Sequence, residues 1–360
     1  MKIPFTVIGS GIVGVLTALK LRELYPDQDI ALLDKAPYPG HHSTTRNSGV
    51  LHAGIYYPTG SLKHKLCREG HAEWKRMSAS LNIPLELCGK YIIATEQDEL
   101  AVLESYQQRA LANGVPGIRK MTVEERDELS PYTNALDGFF SPETGILDIS
   151  AGIGILYSEA QKKGIHCLLN TEVKSVSSGL LVETDSDSFS TDHLINCAGL
   201  GAVDIRKHLG LMDIENEFVK GNYLKLNKPY YNKRLIYPVP LKNLTGLGVH
   251  TSFHMDKIVR FGPNTEKVQV LDYKNSDENL DLLWTDIRKK FKGIGREDLS
   301  LDYSGIRTKI TRNGKLYPDF LIQSPIKGYY ECLGIESPGL TAAPAIANFL
   351  ARLIQDKLAL

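Results

Sequence analysis

The stretch that decides the reading is Ile3-Pro4-Phe5-Thr6-Val7-Ile8-Gly9-Ser10-Gly11-Ile12-Val13-Gly14, followed 20 residues beyond its last glycine by Asp34. Pro4 to Ile8 is a short apolar run suited to a buried parallel strand, and Gly9 breaks it. From Ile12 to Leu24 apolar residues return at helical spacing, Tyr25-Pro26-Asp27 stops the helix, and Ile30 to Leu33 makes a second buried strand. The unit is β-α-β with G-x-G-x-x-G at its first turn. Gly9 permits the tight turn, Gly11 lets the backbone approach a pyrophosphate, and Gly14 lets helix and strand pack closely. The free N–H groups and dipole of the helix start, at Ile12 and Val13, favour the anion. Asp34 closes the second strand as an acceptor for a ribose, with Lys35 beside it. A glycine turn without a ligand is the blander reading, and it loses weight because strand, turn, helix and acid stand in register.

Working outward, 360 residues and 42% hydrophobic content allow a large core and one or two domains. Lys+Arg and Asp+Glu balance at 42 each, so no global field draws the chain to nucleic acid or an anionic membrane. Five scattered cysteines without a C-x-x-C pair argue against a zinc site or disulfide framework, and for a reducing compartment. Ile3 to Leu19 is uncharged, but three regular glycines and the single basic Lys2 argue against a membrane span or signal core. The expectation is a cytoplasmic protein with no transmembrane segment, or one peripheral to the inner face of a membrane.

Residues 35 to 61 read as a long ordered loop, a type that is usually functional inside a compact domain. Helices are expected over Leu62 to Leu81, Gln97 to Asn113, Ser150 to Lys163, near Leu280 to Phe291, and from Leu340 to the end. Strands are expected at Lys90 to Thr95, His166 to Leu169, Thr171 to Ser177, Leu194 to Cys197 and Tyr329 to Leu333. Others fall at Gly221 to Leu226, Leu235 to Val239, Gly246 to Thr251 and Ile258 to Phe261. The order implies an α/β chain: a Rossmann-like nucleotide domain from residues 1–85, 145–212 and 326–360, and a discontinuous, mainly antiparallel sheet domain from 86–144 and 213–325.

The glycine motif alone does not separate FAD from NAD; other segments decide. They are Ser43-Thr44-Thr45-Arg46-Asn47-Ser48-Gly49, Ile195-Asn196-Cys197-Ala198-Gly199, and Gly334-Ile335-Glu336-Ser337-Pro338-Gly339-Leu340-Thr341. With them go Asn47 to Tyr57, Ser61-Leu62-Lys63, Lys65-Leu66-Cys67, Cys88-Gly89-Lys90, Asn113 to Gly117, Ile236 to Pro240 and Leu247-Gly248-Val249-His250. Through these segments nearly the whole chain resembles the D-amino-acid oxidase superfamily of flavoproteins, and within it the L-2-hydroxyglutarate dehydrogenase/oxidase family. The resemblance implies FAD. It places Thr45, Arg46, Asn47 and Ser48 along the flavin and its phosphates, Val173 at the adenine, and Ala198, Gly199, Gly334 and Pro338 on the cofactor. A helix start at Gly339-Leu340-Thr341 would face the pyrimidine end of the flavin, where reduction leaves negative charge. Thr44, Thr45 and Ser48 also suit plain turn and cap roles.

Oxidising a 2-hydroxy acid needs a carboxylate clamp and a base that is unprotonated near neutral pH. The resemblance makes Arg307, in Ser304-Gly305-Ile306-Arg307, the clamp, and its planar fork suits two carboxylate oxygens. His52 and His250 are the candidate bases, since imidazole alone titrates there without help. His52 is preferred because it precedes Tyr56, a substrate contact, in the segment expected to pass the flavin. Lys220 is the expected partner of a second substrate carboxylate. Two departures bear on substrate choice: Arg46 stands where the family generally has His, and Lys220 where it has Arg. No metal site is expected. The onward electron acceptor, oxygen or a quinone, stays open. The rival readings are an amine or amino-acid oxidase on the same fold, and a flavin-holding redox or RNA-modification partner, against which the neutral charge counts.

Overall fold

The computed structural model describes residues 1–239 and 248–358. Of the expected segments, Pro240, Gly246 and Leu247 lie outside the described residues.

The amino-terminal unit forms as its pattern requires. Strand Lys2–Ile8 pairs in parallel with Ile30–Leu33 on one side and Ser188–Asn196 on the other, and helix Ile12–Leu24 joins the first two. His166–Leu168 extends the parallel set beyond Ile30–Leu33, and Tyr329–Leu333 runs parallel to Ser188–Asn196. The register sets Ile8 opposite both Leu33 and Asn196. Gly9, Asp34 and Cys197 therefore come to one edge of the sheet, the carboxyl ends where open α/β sheets bind ligands. Val173–Ser177 and Leu181–Thr184 add an antiparallel hairpin, making eight strands with Leu321–Ile326. That last strand corrects the expected boundary at 325/326: it forms a hairpin with Tyr329–Leu333 and so belongs to the nucleotide sheet.

Beneath this sheet lie helices Ile12–Leu24, Leu62–Leu81 and Gly339–Leu358, sharing one apolar core that includes Val15, Trp74 and Leu350. Helix Leu62–Leu81 matches its expected bounds because both ends carry stop signals. Ser61 Oγ accepts from the His64 N–H at 3.1 Å, and Asn82 takes the left-handed conformation, φ 54°, at the other end.

The second lobe is built on one long antiparallel pair, Ile214–Leu226 against Leu299–Arg312, bulged between Asn222 and Leu224. His250–Ser252, Arg260–Gly262 and Glu266–Val268 continue that sheet. A four-stranded sheet of Leu235–Pro238, Lys90–Ala94, Asp137–Ser141 and Arg119–Lys120 stands beside it, its first pair parallel and the rest antiparallel. No helix among the described residues is long and apolar enough to cross a membrane.

Candidate active site

A cavity of about 830 Å³ runs from the glycine turn to the face of the long antiparallel pair. At the turn, space is so short that only glycine fits. A Cβ on Gly14 would lie 1.8 Å from the Gly9 carbonyl oxygen, and one on Gly9, whose φ is +103°, would lie 2.4 Å from the Cys197 oxygen. Thr44 Oγ1 accepts the Ile12 N–H at 3.0 Å, which ties the loop to the helix start. Asp34 accepts the Ser10 N–H at 2.7 Å, the Ser10 hydroxyl at 2.8 Å and the Ala36 N–H at 2.9 Å. The acid thus braces the turn as well as bordering the cavity.

Most of the expected cofactor residues line this space: Gly9, Gly11, Ile12, Val13, Asp34, Lys35, Arg46, Asn47, Ser48, Val173, Ala198, Gly199, Pro338, Gly339 and Leu340. Gly14, Thr45, Gly334 and Thr341 do not reach its wall. Gly14 is consumed by packing. Thr45 turns its hydroxyl back on the Gly40 carbonyl at 2.9 Å, the turn role that its residue type favours. Gly334 holds a left-handed turn, φ 66°. Thr341 Oγ1 accepts the His52 N–H at 2.9 Å and donates to the Val50 carbonyl at 3.5 Å, so it positions the histidine segment.

At the other end Arg307 lines the cavity, and among the described residues no carboxylate lies within 4.0 Å of its guanidinium. The register sets Arg307 opposite Val219 and Gly305 opposite Gly221, so these four share a face. The absent side chains matter here: a Cβ on Gly305 would strike the Arg46 carbonyl at 2.0 Å, and one on Gly221 would lie 3.2 Å from Arg307 Nη2. Lys220 pairs with Ile306 and leaves on the opposite face, where its ammonium donates to the Lys274 carbonyl. Phe218 and Ile306 of that face reach the cavity wall but Lys220 does not, so its tether to Lys274 corrects the expectation that it meets a substrate carboxylate.

His52 and His250 both border the cavity, as does Tyr56. Burial first, then the charges of Lys90 and His250, holds the His52 imidazole well below its ordinary range. Burial likewise pushes His250 down to about 3, against the raising effect of its bond to Gly248 and with help from Lys90 and Arg307. Both rings are neutral near pH 7. His250 Nδ1 lies 2.9 Å from the Gly248 carbonyl, which can only accept, so Nδ1 carries the proton and Nε2 is the lone-pair nitrogen. Its ring stacks on Tyr237, centroids 3.8 Å apart. His52 Nε2 lies 3.4 Å from Ser337 Oγ.

Sequence reasoning passed over Tyr223, Tyr237, Ser337, Glu336 and Lys309, which also line the cavity. The two last belong to a buried ionic cluster: Glu336 Oε1 is 2.9 Å from Lys63 Nζ, and Lys309 Nζ is 3.4 Å from the same carboxylate. Burial works to raise the Glu336 carboxyl, but Lys63, Lys309 and Arg307 outweigh it and hold the pKa below the ordinary value. Lys309 stands two residues from Arg307 on one strand, a spacing that would have flagged it had the strand face been known.

The geometry suits a flavin-type redox site: a turn where Gly9 and Gly14 admit no Cβ, continuous with a chamber that holds two neutral imidazoles and a guanidinium with no carboxylate partner among the described residues. The comparisons agree. The family model described as DAO, FAD dependent oxidoreductase, matches residues 5–353, and the chain belongs to that family of FAD-dependent oxidoreductases. Among its relatives, the L-2-hydroxyglutarate dehydrogenase of Indibacter alkaliphilus is 37% identical over 276 residues, covering 73% of this chain and 68% of that protein. The L-2-hydroxyglutarate dehydrogenase of Escherichia coli K12 is 31% identical over 405 residues, covering 99% and 94%. A dithionite-reduced L-alpha-glycerophosphate oxidase from Mycoplasma pneumoniae with FAD bound superposes with a TM-score of 0.90 at 23% identity, over 99% of this chain and 95% of that one.

Proposed function

We propose that the chain oxidises L-2-hydroxyglutarate, or a closely related 2-hydroxy acid, to the 2-oxo acid. The observation that carries this reading is the pairing, across one chamber, of an Arg307 guanidinium and a His250 Nε2 that have, among the described residues, no carboxylate and no hydrogen-bond partner respectively. Arg307 would grip the C1 carboxylate through its planar fork and so orient C2. His250 Nε2 would take the C2 hydroxyl proton, its tautomer fixed by Gly248 and its plane by Tyr237. His250 is thus the preferred base in place of His52, which Thr341 holds as a neighbour that shapes the chamber. Bound FAD supplies the hydride acceptor. The residues proposed to hold it are those of the glycine turn, Asp34 and Lys35, Arg46 to Ser48, Val173, Ala198 and Gly199. Pro338 to Leu340 complete the set, with the start of helix Gly339–Leu358 favouring the reduced, negatively charged ring.

The names of the Indibacter alkaliphilus and Escherichia coli relatives support the same substrate. The family departure at Lys220 concerns a side chain that is off the cavity wall and bonded to the Lys274 carbonyl. The Arg46 guanidinium lies over Tyr273, 4.1 Å from the ring centroid.

The test is an anaerobic spectral titration of the holoenzyme. L-2-hydroxyglutarate is expected to bleach the flavin band and yield 2-oxoglutarate in equal amount. An unchanged oxidised spectrum would reject the substrate, and bleaching by amino acids with ammonia release would transfer the assignment to the amine-oxidising type.

A further inference from the structure

We propose that Lys309 is the second anion-binding residue of the chamber, taking the distal carboxylate of a dicarboxylic 2-hydroxy acid while Arg307 holds the one next to the reacting carbon. The inference rests on the substrate reading above and names the residue that would select a diacid within it.

Three observations carry it. The first is direction. Gly305, Arg307 and Lys309 are alternate residues of strand Leu299–Arg312, so the three share one face, and all three line the cavity, which Ile306 and Thr308 border as well. Residues two apart on a pleated strand are separated by about 7 Å, the scale of a five-carbon chain.

The second is charge. Of the cations in the wall, which also include Lys35, Arg46 and Lys174, Lys309 lies against Glu336 and Arg307 two residues from it; Lys63 stands behind the wall, and the one negative charge of Glu336 is shared unequally. Lys63 takes it at 2.9 Å, while Lys309 stays 3.4 Å from either oxygen. Lys63 and Glu336 therefore account for each other. Arg307 and Lys309 are thus left only partly compensated at a place where the side chains of Lys309 and Glu336 are each only 15% exposed. Such charge is costly there, and an incoming dianion offsets both cations, whereas a monoanion offsets one.

The third is location. Glu336 is followed by Ser337, which lies 3.4 Å from His52 Nε2, so the cluster stands at the catalytic end and not at the nucleotide end. Lys220, the alternative cation, is tethered to the Lys274 carbonyl on the far face.

The experiment compares glutarate with butyrate, which differ by the distal carboxylate and carry no oxidisable hydroxyl, as ligands that perturb the flavin spectrum of the oxidised holoenzyme. The same enzymes are then reduced anaerobically with L-2-hydroxyglutarate, L-2-hydroxybutyrate and L-glycerol 3-phosphate. Wild type should bind glutarate more tightly than butyrate. In Lys309→Gln that preference should fall by about 30-fold or more, the loss that follows from truncating one partner of a buried charge pair, and Lys309→Arg should restore much of it. Arg307→Gln should weaken both ligands. A Lys309→Gln enzyme with normal flavin content and an unchanged glutarate-to-butyrate ratio overturns the proposal. If glutarate selectivity depends on Lys309 but L-2-hydroxyglutarate leaves the flavin oxidised, the anion site stands and the substrate reading falls.

Discussion

Lys90 offers the sharpest physical test of how this chamber is built. It lies on strand Lys90–Ala94, is 1% exposed, and rests its ammonium against the rings of Tyr56 at 4.8 Å and Tyr237 at 4.3 Å. Burial lowers its pKa from 10.5 to about 7, partly opposed by Cys67 and Cys88. The unfolded chain holds its proton up to the ordinary value, so between about 7 and 10.5 the unfolded state binds more protons than the folded one. Stability must then rise with pH through that window and be lost as pH falls towards its lower edge. For one such group linkage gives about 2 kcal/mol between pH 7 and 9. Lys90→Met keeps an unbranched side chain and removes the titration. The assay is urea unfolding of both flavin-saturated proteins at pH 7, 8 and 9. The stability of the variant minus that of wild type is expected to fall by about 2 kcal/mol over this range. Cys67 and Cys88, which burial holds up to about 12 and about 11, act in the opposite sense, because the unfolded thiols lose protons first. They are common to both proteins and drop out of the difference. A difference that stays constant from pH 7 to 9 would refute the reasoning, since Lys90 would then keep its charge when folded.

Gly14→Ala should yield protein without flavin, read as loss of the 450 nm band relative to 280 nm, because its Cβ would sit 1.8 Å from the Gly9 oxygen. Gly154→Ala, in helix Ile149–Lys162 with nothing within 4 Å of the new carbon, should retain flavin and gain up to about 1 kcal/mol. His250→Asn should lower kcat by about 10² to 10⁴, with a smaller loss for His52→Asn; equal losses would undo the choice between them. A pKa of about 3 for His250 also means that kcat/KM should show no acid limb near 6.5, the ordinary imidazole value, when measured from pH 5 to 8.

Much of this was legible because it is local. The β-α-β unit, helix Leu62–Leu81 with Ser61 before it, and the helix that follows Pro338 are all written in short-range pattern and capping chemistry. Several short elements were not, including helices Val123–Leu129 and Ala202–His208 and strands Gly145–Leu147 and Leu321–Ile326. Segments of three to seven residues carry too few periods to distinguish one state from another. Their form is decided by the partners that they meet.

By itself, the sequence marked Gly9 to Gly14 as a turn suited to a dinucleotide, since steric tolerance and helix-start N–H groups depend on residues adjacent in the chain. It also marked Arg307, His52 and His250 as the residues with suitable chemistry. Which side chains share the chamber was decided only in three dimensions. Lys220 and Lys309 both lie on the long strand pair, yet Lys220 reaches the Lys274 carbonyl and stays off the cavity wall, while Lys309 lines it. Lys90, a residue type that normally seeks water, is buried because Tyr56 and Tyr237, from segments far apart in the chain, close over it. Strand register and burial arise from contacts between distant segments, and a single one-residue shift would exchange every inward side chain for an outward one.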